Sequence, residues 1–345
     1  MTDTRPIRAG IIGLGKMGRL RARELDARGD VRVVCGYDPD PAAFRAAWPQ
    51  VACADRAADV LDSDVDVVFV CTPNRFTPDT VIAALHVGKH VLAEKPPGCT
   101  VEDIRRIRAA EAACPDQKLA FGFNHRFHAG IQEAHRIAAG GRLGEILWIR
   151  GVYGKADMGE AWRCDKDQAG GGILLDQGIH LLDLVRMFLG DIVEVKSMVT
   201  TAHWGTPLED NAFALLRDMR GRIAQVHSSS TQWKHRFTFE VYLSGGFLSV
   251  DGILTSSRRY GDETLTIARN AATGATAGPP LEETMYFDED PSWAAEIDTF
   301  LTCVREDRPV VTGSSEQALR AMELVYAIYQ DDHQFMTSPA APGPL

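Results

Sequence analysis

The feature that most constrains the fold is a glycine-rich turn near the N-terminus, Gly13-Leu14-Gly15-Lys16-Met17-Gly18. It follows a β-branched apolar run, Ile7–Leu14, and precedes a stretch with helical spacing, Met17–Arg28. In such a unit the first glycine permits a tight turn, the second lets the backbone approach a pyrophosphate, and the third lets helix and strand pack closely. The pyrophosphate then lies at the helix N-terminus, where free N–H groups favour negative charge. The turn therefore predicts dinucleotide binding, although the motif alone also occurs in unrelated turns.

Short apolar runs alternate with helical patterns through the first third of the chain. The predicted strands are Ile7–Leu14, Val31–Tyr37, Val65–Cys71, Lys89–Ala93 and Lys118–Phe123. Stretches with helical spacing, such as Met17–Arg28 and Pro78–Val87, lie between them. Buried strands that alternate with helices are typical of a parallel, doubly wound sheet. We therefore expect an α/β Rossmann domain over residues 1–123, followed by a helix over Asn124–Gly140 that ends at Gly140-Gly141.

Long alternating segments dominate the remainder of the chain. The predicted strands are Ile146–Tyr153, Ile192–Ala202, Asn211–Asp218, Arg222–Ser229, Phe237–Leu243 and Phe247–Ile253, with hairpin turns at 219–221 and 244–246. The predicted helices are Gly172–Phe188, Ser292–Glu306 and Ser314–Gln330. This pattern predicts an α+β domain over 124–335 with a large, mainly antiparallel, open sheet. The last ten residues, 336–345, are rich in Pro, Ala and Gly and are expected to be disordered.

The segment Thr231–Tyr242 divides its residues between two faces. One face carries Trp233, His235, Phe237, Phe239 and Val241, and the other carries Lys234, Arg236, Thr238, Glu240 and Tyr242. So apolar a face must be covered, either by helices or by another subunit. A homo-oligomer, dimer or tetramer, formed through this sheet is one of the two alternatives.

Asp38 follows the second predicted strand, in Tyr37-Asp38-Pro39-Asp40. A carboxylate at this place accepts hydrogen bonds from the adenosine ribose and repels a 2′-phosphate, which favours NAD over NADP. No Arg or Lys immediately follows it to hold a 2′-phosphate. The alternative is that Asp38 only initiates a turn with Pro39.

Composition excludes several classes of partner. The net charge of -10 disfavours binding to nucleic acid or to an anionic membrane surface. The seven cysteines are scattered without a C-x-x-C pair, and neither a membrane-length apolar run nor a signal-peptide core is present. We expect a cytoplasmic protein with reduced thiols. No metal is expected either, because no clustered set of cysteines and histidines is present and Asp176 with His180 alone offers too few ligands.

Three further motifs follow the glycine-rich turn. Val70-Cys71-Thr72-Pro73-Asn74 and His90-Val91-Leu92-Ala93-Glu94-Lys95-Pro96 close predicted strands, where cofactor contacts are expected. Gly170-Gly171-Gly172-Ile173-Leu174-Leu175-Asp176-Gln177-Gly178-Ile179-His180 opens a helix of the second domain. With Gly122-Phe123-Asn124-His125-Arg126-Phe127, Gly144-Glu145-Ile146 and Trp162-Arg163, this set resembles the Gfo/Idh/MocA family of glucose–fructose oxidoreductases and inositol dehydrogenases. The resemblance covers nearly the whole chain.

Lys95 in the Glu-Lys-Pro motif, and Asp176 and His180 in the glycine-led motif, carry side-chain chemistry that suits hydride transfer from an alcohol. The positive charge of Lys95, fixed by the following proline, would stabilise an alkoxide as hydride leaves carbon. Asp176 and His180 are four residues apart on a predicted helix, so they share one face. A neutral imidazole can take a hydroxyl proton, and the carboxylate can orient the imidazole or hydrogen-bond a neighbouring hydroxyl. The preceding glycines would leave room for a cofactor or a sugar. The blander alternatives are a solvated lysine and a surface Asp/His pair.

The resemblance implies a site assignment for this chain. The catalytic set is Lys95, Asp176 and His180. Cofactor contacts are expected at Gly13, Leu14, Gly15, Lys16, Met17, Asp38, Thr72, Pro73, Asn74, Thr77, Glu94, Lys95 and Asn124. Substrate contacts are expected at Lys95, Asp176, His180, Trp162 and Arg163, with Tyr153 and Arg126 as weaker candidates, and loops such as Lys155–Asp165 would recognise ring hydroxyls. The alternative interpretation of Trp162 and Arg163 is a buried aromatic ring with a surface ion-pair partner. The alternative interpretation of His125 is a structural histidine.

One position departs from the family pattern: relatives usually carry a histidine where this chain has Thr77, which puts one cofactor or substrate contact in doubt. The resemblance implies an NAD(P)-dependent oxidoreductase, with NAD preferred, that interconverts a secondary alcohol and a ketone on a pyranose, cyclitol or related sugar derivative. One alternative is action on a nucleotide-linked sugar, whose diphosphate Lys234 and Arg236 could meet. The favoured interpretation of these two residues is that they are ordinary solvated side chains. A remote alternative is a non-catalytic NAD-binding regulator.

Overall fold

The computed structural model describes residues 5–255, 257–270 and 280–342. Its first sheet contains the strands β1 Ile7–Ile12, β2 Val31–Tyr37, β3 Ala52–Cys53, β4 Val67–Val70, β5 His90–Ala93 and β6 Leu119–Phe121. All are parallel, in the order β3-β2-β1-β4-β5-β6. The strand order reverses between β1 and β4, which opens a crevice at the carboxyl ends of these strands.

Helices cover both faces of this sheet. They are α1 Lys16–Asp26, α2 Ala42–Ala47, α3 Ala57–Leu61, α4 Thr77–His86 and α5 Val101–Ala113. The central strand β4 consists of Val67, Val68, Phe69 and Val70, all wholly buried. A strand buried on both faces is apolar throughout, and this is the pattern from which the doubly wound sheet is predicted. The Rossmann architecture is confirmed.

The second sheet has eight strands. They are β7 Ile146–Gly154, β8 Ile192–Thr200, β9 Asn211–Asp218, β10 Ile223–Ser229, β11 Arg236–Leu243, β12 Gly246–Asp251, β13 Glu263–Arg269 and β14 Leu281–Phe287. The order is β14-β13-β12-β11-β7-β10-β9-β8, and every pair is antiparallel except β7 with β10. The large, mainly antiparallel sheet is confirmed, and β13 and β14 extend it beyond the six predicted strands.

The remaining helices are α6 Ala129–Ala139, α7 Lys166–Ala169, α8 Ile179–Leu189, α9 Ser292–Arg305, α10 Ser315–Asp331 and α11 His333–Met336. Two predicted helices begin later than expected. Residues Asn124–Phe127 form a 3₁₀ turn, and His128 is extended because its ring is drawn to the buried Glu263 carboxylate, 2.8 Å away. Before α8, residues Leu174–Gly178 form a π-helical turn.

One face of the second sheet is covered by helices and the other is open. Phe237, Phe239 and Val241 are buried, and Phe239 packs against Phe188 of α8. The first of the two alternatives for this apolar face, cover by helices, is therefore what the structure shows. The other face exposes aromatic and apolar side chains as well as charged ones, including Met198, Phe213, Leu215, Trp148 and Tyr286.

The chain returns to the first sheet near its C-terminus. Ile297, Phe300 and Leu301 of α9 share an apolar cluster with Ile11 and Phe69 of the Rossmann sheet. Helix α10 packs against both α5 and β8. These two helices therefore tie the two sheets into one framework around the crevice.

The C-terminal segment was expected to be disordered from residue 336. Ala340 and Ala341 are buried, and the Lys166 ammonium donates to the Pro339 carbonyl at 3.0 Å, so residues 337–342 pack against the protein. Residues 343–345 lie outside the described ranges. Among the described helices, none is long and apolar enough to cross a membrane. All seven cysteines are unpaired.

Candidate active site

A cleft of about 650 Å³ lies between the carboxyl edge of the first sheet and the helix-covered face of the second. Most of the predicted site residues line it: Gly13, Gly15, Lys16, Met17, Asp38, Thr72, Pro73, Asn74, Glu94, Lys95, Asn124, Tyr153, Trp162, Arg163, Asp176 and His180. Leu14, Thr77 and Arg126 do not. We call the side formed by the first sheet and its loops the cofactor wall and the opposite side the substrate wall.

The glycine-rich turn gives each glycine a different task. Gly13 has a φ of 93°, and a Cβ there would collide with the Cys71 carbonyl. A Cβ on Gly18 would collide with the Gly13 carbonyl, so this glycine lets α1 pack on β1. A Cβ on Gly15 would meet no protein atom within 4 Å, because this residue faces the cleft. The turn thus leaves its backbone open to a ligand at the start of α1, as a pyrophosphate requires.

Asp38 stands beside this turn at the end of β2. Its Oδ2 accepts from the Leu14 N–H at 2.7 Å and its Oδ1 accepts from the Asp40 N–H at 2.8 Å. The bond to Asp40 closes a local turn, which is the alternative role that the sequence left open for Asp38. The bond to Leu14 ties the carboxylate to the glycine-rich turn, which places it in the cleft, where a ribose would follow the pyrophosphate. Leu14 itself is buried, and its backbone N–H holds Asp38.

Thr77 is buried beneath the cofactor wall. Its hydroxyl lies 3.1 Å from that of Thr72, which does line the cleft. Thr77 therefore supports Thr72 from below. Asn74 is held by its amide, which donates to the Ala169 carbonyl at 2.7 Å and so links the cofactor wall to the substrate wall.

Glu94 and Lys95 follow β5 with different partners. Arg21 of α1, fully buried, donates to Glu94 at 2.8 Å and also pairs with Glu296 of α9 at 2.6 Å. The Lys95 ammonium donates to the backbone carbonyl of Asp176 at 2.7 Å. Burial lowers the pKa of Lys95, and the nearby Asp176 carboxylate opposes that shift. Sequence reasoning missed Arg21, whose signal was an arginine on the face of α1 that packs against the sheet.

Asp176 lies at the centre of a buried charge cluster. Its Oδ1 accepts from Arg163 and lies 3.5 Å from the Lys95 ammonium, and its Oδ2 accepts from Lys155 at 3.0 Å. Burial by itself would raise the pKa of Asp176, but the Arg163, Lys155 and Lys95 cations lower it well below its usual range. Asp176 is therefore a carboxylate at all ordinary pH values.

His180 lies in the first turn of α8, four residues after Asp176, and lines the same cleft. Its ring stacks on that of His125, with centroids 3.7 Å apart, and its Nδ1 is buried without a hydrogen-bond partner. Burial, with the Lys95 charge, lowers the pKa of His180 well below 6.5, so the ring is neutral near pH 7. The expectation that Asp176 orients His180 is not met, because the carboxylate is taken up by the three cations. The His125 ring holds His180 instead.

His125 is itself fixed from behind. Its Nδ1 lies 3.1 Å from the Asn124 amide oxygen, and the Asn124 amide donates to the Ser292 hydroxyl at 3.1 Å. Burial lowers the pKa of His125 well below its usual value. The structural role considered for His125 is thus combined with a position in the cleft wall.

The three glycines before Asp176 serve packing within the protein. Side chains at Gly170, Gly171 and Gly172 would meet Cys99, Tyr329 and Glu209 in turn. This corrects the expectation that the glycines make room for a cofactor or a sugar. The Glu209 carboxylate instead accepts from the Gly172 and Leu174 N–H groups at 2.7 and 3.0 Å, and so anchors the turn that carries Asp176.

Arg126 is not a substrate contact in this structure. Its guanidinium makes a bidentate pair with Asp183 of α8, with both distances 2.6 Å, and both side chains are buried. The pair links the Asn124–Phe127 turn to α8 below the cleft. Tyr153, the other weaker candidate, does line the cleft, and its ring lies 5.2 Å from that of His125.

Trp162 and Arg163 lie on the loop that closes the substrate wall. The Arg163 guanidinium stacks over the Trp162 ring at 4.4 Å, and the Trp162 indole N–H donates to Glu160 at 2.8 Å. The loop reaches the cleft with Lys155, Asp157 and Gly159 as well. The structure therefore favours their cleft position over a buried aromatic with a surface ion-pair partner.

Several residues of the substrate wall are not named individually among the predicted contacts, although Gln177 lies within the motif Gly170–His180 and Lys155 begins the predicted loop Lys155–Asp165. They include Lys155, Gln177, His235, Leu254, Thr255, Ser257, Arg259 and Tyr260. The Gln177 amide donates to the Tyr260 hydroxyl at 2.8 Å, while its Oε1 is buried without a partner. The signal for Gln177 was its place beside Asp176, and that for Lys155 was its place at the end of β7. Lys234 and Arg236 are exposed and do not line the cleft.

Comparisons with known proteins agree with this geometry. A family model described as "Oxidoreductase family, NAD-binding Rossmann fold" matches residues 7–120, and one described as "GFO/IDH/MocA C-terminal domain" matches residues 131–249. Inositol 2-dehydrogenase of Rhizobium meliloti (strain 1021) is 25% identical over 93% of this chain and 95% of its own length. 2,7-anhydro-N-acetylneuraminate hydratase of Escherichia coli (strain K12) is 30% identical over 75% of this chain and 71% of its own.

A solved structure of levoglucosan dehydrogenase in complex with NADH superposes with a TM-score of 0.84. It covers 96% of this chain and 98% of its own, at 20% sequence identity. At that identity the likeness shows the fold.

Proposed function

The chain belongs to the Gfo/Idh/MocA family of oxidoreductases with an NAD-binding Rossmann fold, and on this premise we propose that it interconverts a secondary alcohol and a ketone on a pyranose, a cyclitol or a related sugar derivative. The observation that carries the proposal is that Lys95, Asp176 and His180 line the same cleft. Lys95 from the end of β5 lies against Asp176 of the turn before α8, and His180 follows in the same cleft.

The cofactor wall fits NAD. The open backbone at Gly15 would hold the pyrophosphate at the start of α1, and Asp38 would accept from the adenosine ribose hydroxyls. NAD supplies the hydride acceptor. Because the Asp38 carboxylate would repel a 2′-phosphate, we expect NAD to be preferred over NADP. A steady-state preference for NADP would contradict this part of the proposal.

His180 takes the hydroxyl proton of the alcohol. The ring is neutral near pH 7, because burial lowers its pKa, and it lines the cleft beside Lys95. A neutral imidazole within reach of a hydroxyl is a general base, and it returns the proton in the reverse reduction. Stacking on His125 keeps the ring in one orientation.

Lys95 stabilises the negative charge that develops on the substrate oxygen. Its ammonium is held in place by the Asp176 carbonyl, so no reorganisation is needed during the reaction. Asp176 keeps Lys95 charged, since the carboxylate opposes the effect of burial on the pKa of the lysine. The Arg163 guanidinium covers one face of the Trp162 ring, and we expect the other face to pack against a sugar ring.

We also infer that the open face of the second sheet joins two copies of the chain. Trp148 stacks on Tyr242 with centroids 3.8 Å apart, and Phe213 stacks on His227 at 3.9 Å, on a face that no described helix covers. An apolar patch of this kind marks an interface. We expect light scattering to give a dimeric mass for the native chain and a lower mass for Phe213→Glu. A monomeric mass for the native chain, or the same mass for both, would overturn this inference.

Neither alternative function gains support from a specific observation. Lys234 and Arg236, proposed to meet a nucleotide diphosphate, lie outside the cleft. A non-catalytic regulator would not need Lys95, Asp176 and His180 together. The cytoplasmic location and the division into domains at residue 123 stay predictions.

The decisive experiment is a panel of aldohexoses, uronic acids, inositols and nucleotide sugars incubated with NAD, with absorbance followed at about 340 nm. We expect at least one sugar or cyclitol to reduce NAD, and Lys95→Met to lower kcat by about 10²–10³. Lys234→Met, which truncates an exposed lysine outside the cleft, is the matched control. No reduction of NAD by any alcohol of the panel, or equal turnover by Lys95→Met, would refute the proposal.

A further inference from the structure

The charge cluster around Asp176 is not balanced. Three cations, Lys95, Lys155 and Arg163, surround one carboxylate, and the side chains of these four groups are only 14, 10, 22 and 17% exposed. The cluster therefore carries two formal positive charges in excess. The whole chain has a net charge of -10, so this local excess runs against the overall balance.

The other charged groups nearby do not remove the excess. Asp157 lies 3.8 Å from the Lys155 ammonium but is 44% exposed, and it also lies 3.9 Å from Arg259, a further cation of the substrate wall. Glu160 accepts from the Trp162 indole. Among the residues that the structure describes, the substrate wall with Lys95 thus has four cations and three carboxylates, and the excess positive charge lies on the buried groups.

Glu94, on the cofactor wall, opposes the effect of burial on the pKa of Lys95, but neither Lys155 nor Arg163 donates to it. It is held by Arg21, which it shares with Glu296. The negative charges of a bound NAD belong at the glycine-rich turn, where Gly15 is open, and its nicotinamide ring is positive. Apart from Asp176, neither the described residues nor the cofactor therefore supply a hydrogen-bonded anion beside Lys155 and Arg163.

A buried excess cation is costly unless an anion joins it. The donors for that anion are present. Among the described residues, the Lys155 ammonium and the Arg163 guanidinium each make one hydrogen bond, to Asp176. An ammonium has three N–H donors and a guanidinium has five, so both groups have donors to spare. The Arg163 fork matches a planar carboxylate.

We propose that the substrate is itself an acid, a uronic acid or a carboxylated cyclitol, and that Lys155 and Arg163 bind its carboxylate beside Asp176. The proposal rests on the function proposed above and names its substrate class. Gln177 lines this cleft and its Oε1 is buried without a partner, so it then accepts from a ring hydroxyl of the same substrate.

The test compares sugars that differ only at one carbon. D-glucose, D-galactose and D-mannose are each paired with their uronic acid and their 6-phosphate, and dissociation constants are measured on the NADH-loaded enzyme by quenching of nicotinamide fluorescence. In at least one series we expect the uronic acid to bind about tenfold more tightly than the neutral sugar, as hydrogen bonds to charged groups allow. Equal or tighter binding of the neutral sugars in all series overturns the proposal, as does a failure of every uronic acid to bind. A phosphate bound most tightly overturns the carboxylate class.

Variants locate the effect. Lys155→Gln and Arg163→Gln should each reduce the preference for the uronic acid about tenfold, while Lys155→Arg should keep it because the charge stays. Lys234→Gln, which removes the same charge from an exposed residue outside the cleft, is the control and should leave the preference unchanged. An unchanged preference in both Lys155→Gln and Arg163→Gln contradicts the assignment.

Failure of this inference is distinguishable from failure of the proposed function. If neutral sugars reduce NAD as efficiently as acids do, the function stands and the acid subsite is wrong. If uronic acids bind through Lys155 and Arg163 but no alcohol reduces NAD, the subsite stands and the function is wrong.

Discussion

The cofactor wall and the substrate wall of the cleft are built from the same chain by different means. The cofactor wall uses backbone: a left-handed Gly13, an open Gly15 and a close-packed Gly18 shape a turn whose N–H groups face the ligand. The substrate wall uses long side chains, such as Lys155, Asp176 and Arg163, brought together from separate elements.

The difference has a physical consequence. A backbone site tolerates any side chain that points away from it, so it depends on a few glycines at fixed spacing. A side-chain site depends on charges that stabilise each other at short range, so one substitution changes the pKa values of the others. We therefore expect changes in the two walls to affect different measurements.

The largest expected effect belongs to the substrate wall. His180→Gln removes the general base, so kcat should fall by about 10²–10⁴ while the Kd for NAD stays unchanged. His86→Gln, an exposed histidine on α4, is the control. A loss of NAD affinity of the same size would show that the two walls do not act separately.

Arg126 comes next, because the structure assigns it to stability and not to the substrate. Arg126→Met leaves the buried Asp183 carboxylate unpaired and should cost about 3–5 kcal/mol of unfolding free energy, with KM unchanged in the folded enzyme. Denaturant unfolding measures the loss. Arg186→Met, which breaks a pair with the exposed Asp191, should cost much less. A raised KM at full stability would restore Arg126 to the substrate wall.

Two glycines of one turn should behave differently. Gly15→Ala adds a methyl where no protein atom lies within 4 Å, so Tm should hold while the affinity for NAD falls about tenfold. Gly18→Ala drives a methyl into the Gly13 carbonyl, so Tm itself should fall. If Gly15→Ala binds NAD as the native chain does, the pyrophosphate does not approach this residue.

The smallest effect is a shift in the pH profile. Activity needs neutral His180 and charged Lys95, so kcat/KM should rise through a pKa below 6.5 and fall through one below 10.5. The Asp176 carboxylate raises the pKa of both groups, so Asp176→Asn should move both limbs to lower pH. Asp167→Asn, an exposed carboxylate outside the cleft, should move neither. Limbs that move apart, or stay in place, would contradict the electrostatic account.

The same contrast explains how much could be predicted from the sequence. Strands such as Val31–Tyr37 and Asn211–Asp218 have the predicted bounds, because burial on one or both faces leaves a regular apolar pattern. Strand β14 was not predicted, because nearly all its residues are exposed and leave no apolar pattern in the sequence. The helix expected from Asn124 begins at Ala129, because the hydrogen bond between His128 and Glu263, 135 positions later, overrides local helical spacing.

The cofactor wall could be anticipated because its motif is local. Gly13, Gly15 and Asp38 stand in one strand–turn–helix–strand unit, and all three line the cleft. His235 and Tyr260 could not, because they come from separate loops and meet only after the second sheet has formed. The glycines before Asp176 were anticipated for the wrong reason: they face Cys99, Tyr329 and Glu209.

The most direct test of the central claim, hydride transfer between the two walls, follows a label. An alcohol of the reactive class carries deuterium on its oxidised carbon, and the reduced nicotinamide is analysed by mass spectrometry after one turnover. The account predicts that deuterium is recovered in the nicotinamide ring, and that Lys95→Met and His180→Gln each slow its appearance by about 10² or more. Reduced nicotinamide without the label, or labelling at the native rate in both variants, would contradict it.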